Sequence, residues 1–113
     1  MNKQEIKNIF DKDLHNPEFK KQGNALYDQI LKHAKEIVQQ NRAALVEVLR
    51  EWIALKIGPQ TDMAVDIAGE LKLVELREQI KQLRKDITEG RAFSKPEVWW
   101  ADKALKVLDK EGS

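Results

Sequence analysis

The stretch 24–57 most constrains this chain, because it has no glycine or proline and its apolar residues fall at helical spacing. In its first half, one apolar face recurs every three or four residues and consists of Leu26, Ile30, Ala34 and Ile37. Its second half is apolar over a broader surface, made of Ala44, Leu45, Val48, Leu49, Trp52, Ile53 and Ile57. A helix with so broad an apolar surface is predicted to be central, with Trp52 in the core.

Glycine, proline and capping residues predict the helix boundaries. Asn2 with Glu5 forms a capping-box pattern that begins a short helix over 3–14, and Asn16-Pro17 is a second start signal. The segment 39–42 is polar and is either a turn or the solvated middle of one helix. A further break is expected at Gly23-Asn24.

The two firmest predicted breaks are 58–61 and 90–95. At the first, Gly58 suits the left-handed position after a helix, and Thr61 or Asp62 is expected to cap the next helix. At the second, Gly90 ends a helix and Ser94 caps the last one. These breaks predict an all-α chain of antiparallel helices.

Between those breaks, 61–89 is either one continuous helix or a helical hairpin. Two apolar faces follow each other there: Met63, Ala64, Ile67, Ala68 and Leu71, then Leu73, Leu76, Ile80, Leu83 and Ile87. The small residues Ala64, Ala68 and Gly69 predict a close approach between helices.

The run 61–83 resembles a HEAT-type (armadillo-like) helical repeat. Ala64, Ala68 and Leu71 match the first helix of such a repeat, and Leu76, Ile80 and Leu83 match the second. The pattern Leu-Arg-x-x-Ile occurs twice, at 49–53 and at 83–87, which agrees with a repeat. The turn at Lys72-Leu73-Val74 departs from the family, because it lacks the usual Gly or Asp. The resemblance implies helical hairpins in a right-handed α-superhelix, which we favour over a plain helical bundle.

Length and composition narrow the class of protein. A chain of 113 residues is expected to form one domain over 1–113, with the main helical array over 24–110. With no Cys, disulfides and thiolate chemistry are excluded, which favours the cytoplasm. No segment has the apolar length of a membrane-spanning helix, and the net charge of +1 gives no global attraction to nucleic acid or anionic membranes.

The sequence predicts no catalytic, cofactor or metal site. His15 lies near Asp11 and Asp13, but residues two apart do not share a helical face, so a charged helix end is the better interpretation. His33 belongs to neither metal-binding helix pattern. Only Ser94 and Ser113 offer serine hydroxyls, and the five glycines are scattered, so neither a nucleophile nor a phosphate loop is evident.

Two groups of residues are candidate binding sites. Arg77, Lys81 and Arg84 form a basic ridge on one helix flank, which Lys85 and Arg91 would extend. Trp99 and Trp100 are adjacent, so on a helix they point about 100° apart and do not both fit one core layer. One of them is therefore a candidate partner contact, and the alternative is that both close the end of the core.

These observations favour a small protein-interaction domain without catalytic activity, using Trp99 or Trp100 with the flanking charges. An unidentified protein partner is expected, and self-association into a homodimer is a further expectation. One alternative is a nucleic-acid-binding domain that uses the Arg77, Lys81 and Arg84 ridge. The other is a small enzyme or an accessory subunit, with a site built from distant residues such as His33 with Glu36 or Asp28.

Overall fold

A computed structural model describes residues 1–20, 25–56, 58–91 and 98–112, with side chains at 1–18, 25–56, 60–91 and 101–110. This part of the chain is all-helical and contains no β-strand. Its helices are α1 Lys3–Leu14, α2 Ala25–Ala54, α3 Gly58–Glu70, α4 Arg77–Thr88 and α5 Val98–Gly112, with short 3-10 helices at Pro17–Lys20 and Val74–Leu76. None of the described helices is long and apolar enough to cross a membrane.

The chain forms two compact units, Met1–Val48 and Leu49–Ser113. In the first unit the buried apolar residues are Ile6, Phe10, Ile30, Ala34, Ile37, Leu45, Val46 and Val48. In the second unit they come from the end of α2 and from α3, α4, α5 and the turn before α4. The expectation of one domain over 1–113 stays a prediction.

Asparagines cap two helical segments of the first unit. The predicted capping box is present, since the Glu5 N–H donates to Asn2 Oδ1 at 2.8 Å and the Asn2 N–H to Glu5 Oε1 at 3.4 Å. At Asn41 the backbone leaves the helical region (φ −156, ψ 81), and its side chain accepts a bond from the Ala44 N–H at 3.1 Å. Asn41 therefore caps a new helical segment, and of the two alternatives for 39–42 the chain adopts a kink between two helices.

The predicted break at 58–61 is misplaced. Helix α2 ends at Ala54, the left-handed residue is Lys56 (φ 59), and Gly58 already belongs to α3. Neither Thr61 nor Asp62 caps α3, because both lie inside it, and Thr61 donates instead to the Trp52 carbonyl at 2.7 Å. The physical reason is that the N-terminal turn of a helix has no partners for its N–H groups, so it tolerates proline, here Pro59.

The segment 61–89 is two helices joined by a tight turn, so the continuous-helix alternative is wrong. The Leu73 N–H donates to the Ala68 carbonyl at 2.9 Å and the Lys72 N–H to that of Gly69 at 3.3 Å. This is the Schellman pattern of a helix end, with Lys72 (φ 56) at the left-handed position that glycine usually occupies. Left-handed backbone costs a residue with a side chain roughly 1–2 kcal/mol.

The predicted apolar faces of the second unit are buried. Leu73, Leu76, Ile80, Leu83 and Ile87 are all at most 3% exposed. A Cβ added at Gly69 would lie 3.4 Å from the Ala104 Cα, so α3 and α5 approach closely where small residues were predicted to allow it. Trp52, expected in the core, is only half-buried, because it lies at the margin of the apolar surface.

Gly90→Ala is expected to lower the free energy of unfolding by about 1 kcal/mol, because Gly90 has φ +80 and ends α4 as predicted. Nothing lies within 4 Å of an added Cβ, so the loss comes from the backbone alone. Gly69→Ala is the control, since it lies within α3 and its Cβ would make only ordinary contacts. Urea unfolding measures both, and equal effects would contradict the argument.

Candidate functional site

All three residues of the predicted basic ridge lie on α4, but two of them are paired with residues of α5. Arg77 Nε donates to Asp109 Oδ1, and Arg84 Nε donates to Asp102 Oδ1. Lys81 Nζ lies 3.8 Å from Glu78 Oε1 on its own helix. The arginine charges are therefore directed at carboxylates of α5.

These two ion pairs are partly solvated, with the four side chains between 35% and 50% exposed. Pairs at this exposure contribute roughly 0–1 kcal/mol each to stability. Their larger effect is on the surface charge, because they direct Asp102 and Asp109 towards α4.

A groove of about 690 Å³, here called the inter-helix groove, lies along α4 and α5. Lys81, Arg84, Asp102, Leu105 and Asp109 line it, together with Lys103 and Lys106. Charges of both signs thus surround a small apolar surface, which is typical of a polar interface rim.

A second groove of about 410 Å³, here called the lysine groove, shares Lys103 and Lys106 with the first. Its other lining residues are Lys72, Val107 and Lys110. Among the described residues that line it none is acidic. Lys103 interacts electrostatically with Asp66, since burial raises the pKa of Asp66, the charge of Lys103 opposes that rise and the charge of Glu70 adds to it.

The sequence reasoning missed this cluster of lysines. Lys103, Lys106 and Lys110 follow one side of α5 at spacings of three and four, which the sequence alone displays. Lys72 joins them because the turn after α3 holds it in left-handed backbone. The helical spacing was a usable signal, whereas the position of Lys72 depends on the fold.

A second cluster surrounds the carboxylate of Asp86, which is only 2% exposed. Lys56 Nζ lies 2.9 Å from Oδ2, and Arg91 Nη2 donates to Oδ1 at 2.9 Å. Gln82 Nε2 donates to Oδ1 at 3.1 Å. These bonds lower the pKa of Asp86 to about 2. The bond from Lys56 has the largest effect and that from Arg91 the next largest, while burial acts in the opposite direction.

This Asp86 cluster has a structural role. Arg91, expected to extend the basic ridge, donates instead to Asp86, and its pKa is raised chiefly by that bond. A cavity of about 100 Å³ beside Asp86 is also lined by Gln79, whose Oε1 has no hydrogen-bond partner among the described residues. The cluster joins the ends of α2 and α4 within the second unit.

In the first unit His33 pairs with Asp13, not with the Glu36 or Asp28 proposed from sequence. His33 Nδ1 and Asp13 Oδ2 are 2.6 Å apart, and His33 Nε2 lies 3.3 Å from Gln29 Nε2. Asp13 is 6% exposed, and it lies twenty positions from His33, a separation that helical periodicity does not reveal. His15 Nδ1 lies 2.8 Å from the Asp11 carbonyl at the end of α1, as expected of a charged helix end.

The Asp13–His33 pair lines a pocket of about 340 Å³ with Ile9, Lys12, Asn16 and Gln29. None of these described lining residues carries a hydroxyl or a thiol that the pair would activate as a nucleophile. Across the described part of the chain, no three His, Asp or Glu side chains are grouped to hold a metal ion.

The backbone of Trp99 and Trp100 lies in α5, but their side chains are outside the described residues. Ser94, Ile57 and the break at Gly23-Asn24 are outside them too.

Comparison with known protein families, with curated proteins and with solved structures found no match to this chain.

Proposed function

We propose that this chain is a small helical protein-interaction domain without catalytic activity of its own. Its binding surface lies along α5 in the second unit, where the inter-helix groove borders α4 and the lysine groove borders the turn after α3. The observation that supports it most is the pair of grooves on this face, which share Lys103 and Lys106.

Two features of the face support a protein partner. Leu105 and Val107 contribute apolar surface to the grooves, and charged side chains surround them. Exposed long side chains that can solvate or pair are typical of interface rims. Trp99 and Trp100 stand at the beginning of the same helix, and the prediction that one of them contacts the partner belongs to this proposal.

The alternative of nucleic-acid binding through Arg77, Lys81 and Arg84 is weaker as a proposal. Arg77 and Arg84 bond with Asp109 and Asp102, so a phosphate backbone would compete with those carboxylates. For an enzyme or accessory subunit, the Asp13–His33 pocket is the best support, and its described lining offers no nucleophile.

A HEAT-like repeat around 61–88 is part of this proposal. The tight turn between α3 and α4 and the buried apolar stripe of α4 support a helical hairpin there. A homodimer and a cytoplasmic location stay predictions from the sequence. Light scattering on the purified protein distinguishes a monomer from a dimer.

Lys81→Glu with Lys106→Glu is expected to abolish recovery of protein partners in an affinity pull-down from the native host. Both side chains are exposed and line the inter-helix groove, so reversing their charge changes the face and leaves the core intact. The matched control reverses Lys32 and Lys35, two exposed lysines of α2. A third variant, Trp99→Ala with Trp100→Ala, tests the tryptophan contact.

Recovery of the same partners at the same levels by the face variant and the control would refute the proposed surface. Equal recovery by the tryptophan variant and the wild type would refute the tryptophan contact alone. Circular dichroism on each purified variant verifies that helicity is retained.

A further inference from the structure

We propose that the cavity beside Asp86 is a binding site for ordered water, one molecule of which donates a hydrogen bond to Gln79 Oε1. The cavity measures about 100 Å³ and lies between the end of α2 and α4, within the second unit. Ile53 and Leu83, both at most 3% exposed, form the apolar part of its wall. A water molecule occupies about 30 Å³ in the liquid, so the cavity has room for a few.

The orientation of the Gln79 amide is the first argument. Its Nε2 donates to the Arg50 carbonyl at 2.8 Å, and because a carbonyl oxygen only accepts, this bond determines which end of the amide is the nitrogen. Gln79 Oε1 is then a buried acceptor with no hydrogen-bond partner among the described residues. A buried acceptor without a donor destabilises a fold, and the cavity that Gln79 lines is large enough for a donor to bind there.

The other polar groups that line the cavity supply the remaining hydrogen bonds of a water molecule. Asp86 Oδ2 is a second buried acceptor, and its described contact is the ion pair with Lys56 Nζ at 2.9 Å. The Lys56 ammonium has three N–H groups and the Gln82 amide has two, and each directs one of them at Asp86. Buried water typically makes about three hydrogen bonds, so donors and acceptors of both kinds suit it.

The charges around the cavity favour water over a cation. Two oxygens, Gln79 Oε1 and Asp86 Oδ2, are also ligands that a monovalent cation accepts. However, the single negative charge of Asp86 is already paired with the Lys56 ammonium and the Arg91 guanidinium. A third positive charge would be repelled by both, whereas a neutral water molecule is not.

A crystal structure of the full chain, from crystals soaked in rubidium chloride, tests the proposal directly. We expect a peak of electron density within about 3.2 Å of Gln79 Oε1, without an anomalous signal from rubidium. A site without such a peak would overturn the proposal. An anomalous rubidium peak at that position would overturn it in favour of a monovalent cation.

Gln79→Met is expected to lower the melting temperature by several degrees, because the thioether has a similar length but loses the bonds to both the Arg50 carbonyl and the water. If Oε1 were buried without a donor, the same substitution would remove an unfavourable group and offset the loss of the Arg50 bond. An unchanged or raised melting temperature would therefore contradict the proposal. Gln39→Met, at an exposed glutamine of α2, is the matched control and should change the melting temperature little.

Oxygen-17 relaxation dispersion counts the long-lived water molecules in solution. We expect the wild type to hold at least one more of them than Gln79→Met, since the variant removes the acceptor that orients the bound water. Gln39→Met should give the same count as the wild type. Equal counts for the wild type and Gln79→Met would overturn the assignment of Gln79 Oε1 as the acceptor.

Discussion

His33→Ala is expected to lower the free energy of unfolding by about 2 kcal/mol, because it leaves the carboxylate of Asp13 buried without its imidazole partner. Asp13 is 6% exposed, so water has little access to compensate for the lost bond. The estimate lies below the 3–5 kcal/mol range that is typical when a fully buried pair is broken, because the His33 side chain is itself 26% exposed. Urea unfolding followed by circular dichroism measures the change.

The other histidine supplies a matched control. His15 also has one ring nitrogen bonded, but its partner is an exposed carbonyl at the end of α1, so His15→Ala is expected to cost less than about 1 kcal/mol. A double-mutant cycle with Asp13→Asn should give a coupling energy of about 1 kcal/mol between the two positions. Equal effects of the two histidine variants, or no coupling, would show that the pair does not hold α1 to α2.

Local patterns in the sequence predicted the local structure well. The capping box at Asn2, the end of α4 at Gly90 and the apolar stripe of α4 depend on residues at most four or five apart, and the structure contains all three. The kink at Asn41 depends on an equally local bond, from the Ala44 N–H to the Asn41 side chain, but the sequence left both a turn and a continuous helix open there.

The sequence failed where a residue adopts backbone that its type usually avoids. Lys56 and Lys72 both occupy left-handed positions after helices, where glycine is the usual residue. Because glycine was taken to mark the end of a helix, the predicted break after α2 was placed at Gly58 instead of Lys56. For the same reason the sequence did not show that α3 ends before Lys72. In each case a cationic side chain near a helix C-terminus also interacts favourably with the helix dipole.

Contacts between helices were the other part that the sequence did not reveal. Which cations of α4 are paired depends on how α5 packs against it, so the predicted ridge of Arg77, Lys81 and Arg84 did not reveal that both arginines bond with α5. The Asp13–His33 pair is likewise a tertiary contact. The candidate site was therefore predictable as a helix face but not as a set of residues.

Asp86→Asn is expected to lower the melting temperature by several degrees at pH 7. The isosteric amide carries no charge, so the ammonium of Lys56 and the guanidinium of Arg91 lose their charge-assisted bonds. The exposed Asp102 also accepts a bond from an arginine, so Asp102→Asn is the matched control and should change the melting temperature little.

The effect of Asp86→Asn on the melting temperature should depend on pH. Because the folded protein holds the pKa of Asp86 at about 2, below its ordinary value of 3.8, the carboxylate stabilises the fold fully above about pH 4. That stabilisation is lost as the pH falls from 3.8 towards 2, where the carboxylate becomes protonated in the folded state as well. The melting temperatures of the wild type and Asp86→Asn should therefore converge across this interval, and a constant difference down to pH 2 would contradict the assignment.

The same pH titration should distinguish the contribution of Lys56 from that of Arg91. The bond from Lys56 lowers the pKa of Asp86 most and that from Arg91 next, so Lys56→Met should move the acid transition to higher pH by more than Arg91→Met does. Both variants leave the carboxylate in place, so each should still lose stability at low pH, unlike Asp86→Asn. If Arg91→Met shifts the transition further than Lys56→Met, the arginine is the principal partner, and the end of α4 depends on its own C-terminal turn more than on the residue that follows α2.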